Sequence, residues 1–475
     1  MRYYFLGIGG IGMSALARYF KQCGHDVSGY DRTESPLTKQ LESEGIPVHY
    51  DDDPSLLPTD IDLVVFTPAI PEDTQEYVTL RQRGVAMKKR AQVLGELTMG
   101  KKCIAVAGTH GKTTTSSMIA HILTETEIGC TAFLGGVAKN YDSNLLVNDK
   151  SDYVVVEADE YDRSFLYLHP FFSVITATDP DHLDVYGTHK SMVDAFSSFA
   201  NQTNPDGMLF LKEGLTGHGH GHEHEHEHGH SHETGDNDEE HPHLLVGEEI
   251  STRSYSARSL EADYYAVNVR NYNGNIFFDL RTPDKVMYDM QLTNSCLYNV
   301  ENAVAAAAVA LACGVEEYQL RHALKTFAGI KRRFDYRIKE KDLVYIDDYA
   351  HHPREIAATI ESVRYLFPDK RVVGVFQPHL YSRTRDLAQE FADALSSLDE
   401  IVLLPVYPAR EKPIPGVSTH LIMHKIKTMN RYLVSKEQMP DVVVALCPDV
   451  VLTMGAGDID RLVPDLEKTL RENCL

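Results

Sequence analysis

Residues 107–115 read Ala-Gly-Thr-His-Gly-Lys-Thr-Thr-Thr and carry the strongest chemical signal in the chain. An apolar run at 103–107 precedes them, and Met118, Ile119, Ile122 and Leu123 follow at helical core spacing. A strand, a glycine turn and a helix in that order aim backbone N–H groups at one point, where the helix dipole favours negative charge. Gly108 and Gly111 let the backbone curl around Thr109 and His110, and Lys112 supplies a full positive charge for β- and γ-phosphates. A hydroxyl from Thr113 or Thr114 can join the shell of a Mg²⁺ ion. The loop is shorter than the strict Walker spacing, since Val106 stands where that pattern has glycine. Nothing resembles a guanine-reading motif, so the expected nucleotide is ATP.

Two acidic segments follow apolar runs further along. One is Glu157-Ala-Asp159-Glu160-Tyr-Asp162; the other is Asp179-Pro-Asp181-His182-Leu-Asp184. Both fall at the carboxyl ends of expected parallel strands, where such sheets bind ligands. His182, flanked by aspartates, reads as a metal ligand with hydrogen-bonding support rather than as a surface histidine. Phosphoryl transfer needs positioned cations against developing charge, and these residues can hold them. Near the N-terminus, Gly7-x-Gly9-x-x-Gly12 follows another apolar run, with Asp31 closing the next. Read alone, this dinucleotide fingerprint indicates an NAD(H) oxidoreductase; beside the phosphate loop that reading recedes.

The elements that must position these residues fall into three blocks, about the number expected for 475 residues. Residues 1–97 alternate strands at 3–8, 27–30 and 63–66 with a helix at 13–23. Residues 98–327 hold strands at 103–108, 153–158 and 172–176, and a helix at 300–312. Residues 328–475 hold strands at 344–347, 372–376, 401–405 and 450–454, with a last helix over about 459–472. The expected fold class is α/β with three domains. The first and third are Rossmann-like, and the central one is a P-loop-type ATPase domain with a mostly parallel sheet.

Between residues 215 and 244 the pattern breaks into alternating His, Gly and Glu with nothing apolar to bury. A disordered insertion in the central domain is expected, with divalent metal binding as its possible property. Seven cysteines, widely spread and without a CxxC pair, argue against a disulfide framework or zinc knuckle, and most, among apolar neighbours, read as buried small hydrophobes. The formal charge of −23 disfavours a nucleic-acid partner. The start lacks the basic, long apolar and small-residue segments of a signal peptide, and no stretch is long enough to span a bilayer. A soluble, cytoplasmic protein with no membrane partner is therefore expected.

Gly108-Thr-His-Gly-Lys-Thr-Thr114, Glu157-Ala-Asp-Glu160 and Asp181-His-Leu-Asp184 together resemble the Mur ligases, which share this pattern with folylpolyglutamate synthase. Further motifs extend the resemblance from Met1 to the last helix, omitting only the histidine-rich insertion. They are Gly7-Ile-Gly-Gly-Ile-Gly-Met-Ser14, Tyr298-Asn299-Val-Glu-Asn302, Arg332-Arg-Phe-Asp335, Asp347-Asp-Tyr-Ala-His-His-Pro353, Phe376-Gln-Pro-His-Leu-Tyr-Ser-Arg-Thr-Arg385 and Met454-Gly-Ala-Gly-Asp458. The resemblance implies a cytoplasmic step of peptidoglycan precursor synthesis. ATP would phosphorylate the lactyl carboxylate of UDP-N-acetylmuramate, and the amine of L-alanine would capture the acyl phosphate. Attachment of a recycled tripeptide to the same sugar nucleotide is the alternative.

Carried over by position, the resemblance places Lys112 and Thr113 at the triphosphate and Mg²⁺, and Glu157 and His182 at a metal bridging ATP and acceptor. Asn299 and Asn302 would border the adenine, Asp348 the ribose, and Arg333 would approach the phosphates. Gly7, Gly9, Gly10, Gly12, Asp31 and Thr67 would cradle the UDP-sugar. His351, His379 and Arg383 would form the alanine site, with Arg383 gripping a carboxylate in bidentate fashion. The chain departs from the family at Leu380, where an arginine is common, leaving more of the burden on Arg383. Lys190 is too close to His182 to serve as the carbamylated lysine of relatives that add later amino acids.

Overall fold

The computed structural model describes residues 1–180, 183–216, 242–272, 274–409 and 411–475. Among them three sheets follow one another along the chain. The first pairs Val48–His49, Asp26–Tyr30, Arg2–Leu6, Leu63–Phe66 and Met87–Lys89 in that spatial order, all parallel. Its order reverses beside Arg2–Leu6, which leaves a crevice at the strand carboxyl ends. The helix Ile11–Gln22 begins directly at that crevice.

The second sheet has a parallel centre: Thr131–Ala138, Tyr153–Glu157, Lys102–Ala107, Phe172–Ile175, Met208–Lys212, Thr252–Ser256 and Tyr264–Tyr272. Ile104, Ala105 and Val106 are fully buried, as expected of strands covered by helices on both faces. The helix Lys112–Thr124 is buried along almost its whole length and packs on Asn299–Ala312. The alanines at 303, 305–308 and 310 are all fully buried, and their small side chains let the two helix backbones approach. Sequence reading missed the antiparallel edges, Ser143–Leu146 on one side and Asn275–Arg281 with Val286–Leu292 on the other. The last two strands are broken by polar residues such as Asn275, Asp279, Arg281, Asp289 and Gln291, so they lack the continuous apolar run that marked the central strands.

The third sheet orders Asp335–Lys339, Val344–Asp348, Val450–Met454, Val372–Phe376, Glu400–Leu403 and Arg431–Leu433, parallel except at the first edge. The final helix runs Val463–Cys474, after a tighter turn at Asp458–Leu462 and with Pro464 in its opening turn.

Polar contacts dock the units. Arg18, buried in the first helix, pairs with Glu44 at 2.7 Å and donates to Asn144 of the central sheet. Asn144 in turn donates to the Ile11 carbonyl at 2.6 Å. The linker into the third unit bridges Ile330 to Ala138, and Lys139 reaches Asp335 at 2.6 Å. Thr216 pairs with Leu244, so the chain on either side of the histidine-rich segment meets in a bridge. That segment, residues 217–241, lies outside the described residues. No helix among the described residues is long and apolar enough to cross a membrane.

Candidate active site

The phosphate loop sits between Lys102–Ala107 and Lys112–Thr124, as its spacing required. Gly108 has φ +136°, and a Cβ there would lie 2.1 Å from the Thr176 hydroxyl. Gly111 has φ +81°, and its Cβ would meet Asn302 Oδ1 at 2.7 Å. Both positions demand glycine for conformation and for space. The loop is held from outside: Thr109 N–H donates to Ala177 O at 3.0 Å, and the Asp179 N–H donates to Thr109 Oγ1 at 3.2 Å.

Lys112 Nζ folds back over the loop, donating to Gly108 O at 2.6 Å and pairing with Glu160 at 2.7 Å. Burial alone would lower its pKa, but Glu160, Glu157 and Asp159 outweigh that and hold it raised. The lysine is therefore a fixed cation. Glu157 projects over Gly135, whose missing Cβ would otherwise stand 2.0 Å from Glu157 Oε2. That oxygen is buried and finds no hydrogen-bond partner among the described residues, which leaves one carboxylate lone pair open to a cation. His182 lies outside the described residues, so of the expected ligands only Glu157 and Thr113 can be placed, both on the same cavity.

That cavity, of about 440 Å³, lies between the central and third units and brings Thr109, Lys112, Thr113, Asn302, Arg333 and Arg383 together. Asn299 stands one layer back, accepting from Asn302 Nδ2 at 2.8 Å. Asp348 borders the cavity but is engaged by the Ala350 and Phe334 N–H groups at 2.8 and 3.0 Å and by Tyr298 OH at 3.1 Å. Arg333 stacks over the Tyr349 ring at 4.8 Å. His351 and His379 face each other edge to face at 6.1 Å, and burial pushes both imidazoles down to about 4. Both are uncharged near neutral pH. Leu380 has φ +69° and works through its backbone: its N–H donates to Tyr407 O at 2.9 Å, ahead of the short helix that carries Arg383.

Sequence reading missed Glu355, and it did not foresee that Glu160 pairs with Lys112. Glu355 is the third residue of the helix Pro353–Leu366 and caps it by accepting from the His351 and His352 N–H groups. Burial would raise its pKa, yet His110, His351 and Arg333 hold it well below the usual carboxylate range. Its spacing after His352-Pro353 is a capping-box signal that was available. Glu160 carried no signal distinguishing it from its acidic neighbours.

A larger cavity, about 1080 Å³, opens between the first and central units. Gly7, Gly10, Gly12, Asp31 and Thr67 line it. Gly9 is set back and donates to Asp31 Oδ2 at 2.8 Å, so Asp31 braces the glycine turn as well as facing the cavity. Arg32, Lys89 and Arg90 also line it and were not anticipated. Glu157 and Asp159 belong to the walls of both cavities. A nucleotide phosphate in one and an acceptor in the other would meet there.

Three family models match in chain order: the Mur ligase family catalytic domain over residues 2–102, the Mur ligase middle domain over 106–310, and the Mur ligase glutamate ligase domain over 332–457. A UDP-N-acetylmuramate–L-alanine ligase from Parabacteroides distasonis is 46% identical, covering 98% of this chain and 96% of that protein. The chain belongs to the Mur ligase family. Among solved structures, the UDP-N-acetylmuramate-alanine ligase of Thermotoga maritima aligns with a TM-score of 0.81 at 28% identity, covering 99% of each chain. A murein peptide ligase from Psychrobacter arcticus shares the fold, with a TM-score of 0.67 at 21% identity and 99% and 98% coverage. Within the Mur ligase fold, the glycine turn at residues 7–12 thus belongs to a ligase, and the oxidoreductase reading falls away.

Proposed function

We propose that this chain joins L-alanine to the lactyl carboxylate of UDP-N-acetylmuramate with ATP as the phosphoryl donor, a cytoplasmic step of peptidoglycan precursor synthesis. The observation that carries this reading is the common wall of the two cavities at Glu157 and Asp159. It lets one site hold the terminal phosphate of ATP against a carboxylate delivered from the other. A carboxylate is a poor electrophile, so proximity to the transferring phosphoryl group and exclusion of water from the activated acid are what the protein must supply.

Lys112 and the loop N–H groups hold the triphosphate, and Arg333 neutralises charge from the third unit. Thr113, Glu157 and His182 would hold Mg²⁺, which supplies charge stabilisation at the phosphoryl oxygens when bound. Arg383 pairs with the carboxylate of alanine. His351 and His379, kept uncharged, can accept hydrogen bonds from its amino group without repelling it. Asn302 borders the adenine, with Asn299 behind it, and Asp348 fixes the strand end near the ribose. The histidine-rich insertion has no part in turnover.

The test is phosphate release from ATP in the presence of UDP-N-acetylmuramate while one amine at a time is supplied. Release dependent on L-alanine, with the alanyl product found by mass, is expected. Release that responds only to a tripeptide, or formation of ADP without product, overturns the proposal.

A further inference from the structure

Arg90 opens the helix Arg90–Thr98 and lies across the start of the helix Ile11–Gln22. A Cβ on Gly12 would sit 2.8 Å from Arg90 Nη1, so the guanidinium packs closely over Gly12. The start of the helix Ile11–Gln22 receives no side-chain cap, which leaves its first N–H groups facing the large cavity. Arg90 Nη2 donates to Asp159 Oδ2 at 3.0 Å, and neighbouring Lys89 reaches Asp162 at 2.6 Å. Two adjacent cations on the cavity wall are thus held by carboxylates of the central unit, in a protein whose formal charge is −23.

We propose that Arg90 grips the diphosphate of the sugar nucleotide, and that Asp159 competes with that diphosphate for the same guanidinium. The proposal rests on the sugar-nucleotide reading of this cavity. A diphosphate carries more charge than one aspartate and is also met by the uncapped helix N–H groups, so it displaces Asp159 from Arg90. Asp159 stands two residues from Glu157 on the wall common to both cavities, so the exchange ties acceptor binding to the phosphoryl-transfer site.

Binding of UDP and of uridine to the full-length protein, measured by calorimetry, separates this from a merely structural role. Arg90→Gln is expected to weaken UDP roughly 10- to 100-fold while leaving uridine unchanged, and Arg90→Lys to lose less. Asp159→Asn is expected to tighten UDP, because the competitor is gone, whereas loss of a structural strut would weaken it. An unchanged UDP-to-uridine ratio in Arg90→Gln, or weaker UDP binding in Asp159→Asn, overturns the proposal. Should Arg90→Gln fail to fold, the direction of the Asp159→Asn effect still decides. Failure of the unaltered protein to bind UDP would instead bring down the sugar-nucleotide reading, and this proposal with it.

Discussion

Lys112, which we propose holds the triphosphate, is a cation already committed to the loop through Gly108 O and Glu160. Replacing it with alanine removes a preorganised charge and leaves Glu160 buried without its partner. The expected outcome is a turnover loss of roughly 10²–10³-fold, read by coupled ADP release. Arg383→Ala is expected to raise the KM for alanine at least 10-fold while the KM for ATP holds, checked by varying each substrate in turn. His351 and His379 give a pH prediction. Their folded pKa is depressed to about 4 against an ordinary 6.5, so the stability they contribute is present above about pH 6.5 and declines as pH falls towards 4. Thermal unfolding at stepped pH should show Tm dropping across that window, and the paired His351→Asn, His379→Asn variant should flatten the drop. Lysine, glycine and threonine types at fixed spacing made the loop legible in the sequence. The depressed histidines were not, because burial arises from packing between units that no local pattern encodes.

At the scale of elements, the strand Thr131–Ala138 bends where its pairing register shifts, and Gly135 lies in that stretch directly under Glu157. Gly135→Ala would push a methyl group into the carboxylate while leaving the sheet paired. Folding by circular dichroism should be unchanged, whereas the Mg²⁺ concentration giving half-maximal rate should rise roughly 10- to 100-fold. The alternation of strands and helices made the parallel centre of all three sheets readable, since doubly covered strands are apolar throughout. Gly135 was invisible as a functional position: a glycine in a strand signals close approach of something, and only the fold shows that the something is Glu157. Leu380 was flagged as a missing polar side chain, and the structure adds that its backbone, at φ +69°, joins His379 to the helix carrying Arg383.

For the whole molecule, the bridge between Thr216 and Leu244 implies that residues 217–241 can be replaced by a short glycine–serine turn, provided buried Leu244 stays. Turnover within about twofold of the intact protein is expected, and a larger loss would give the histidines a part in catalysis. Domain order was readable from three successive blocks of alternating strands and helices, but the contacts between units were not. Arg354, paired with Asp179 at the cavity between the central and third units, shows why: partners 175 residues apart leave no trace in a local window. The common wall at Glu157 and Asp159 has a consequence for inhibition. A single molecule with a uridine group at one end and an adenosine group at the other could occupy both chambers through one tether. Once either end is seated, the other faces a local concentration set by tether length, so two weak fragments can combine into a tight ligand without any new contact.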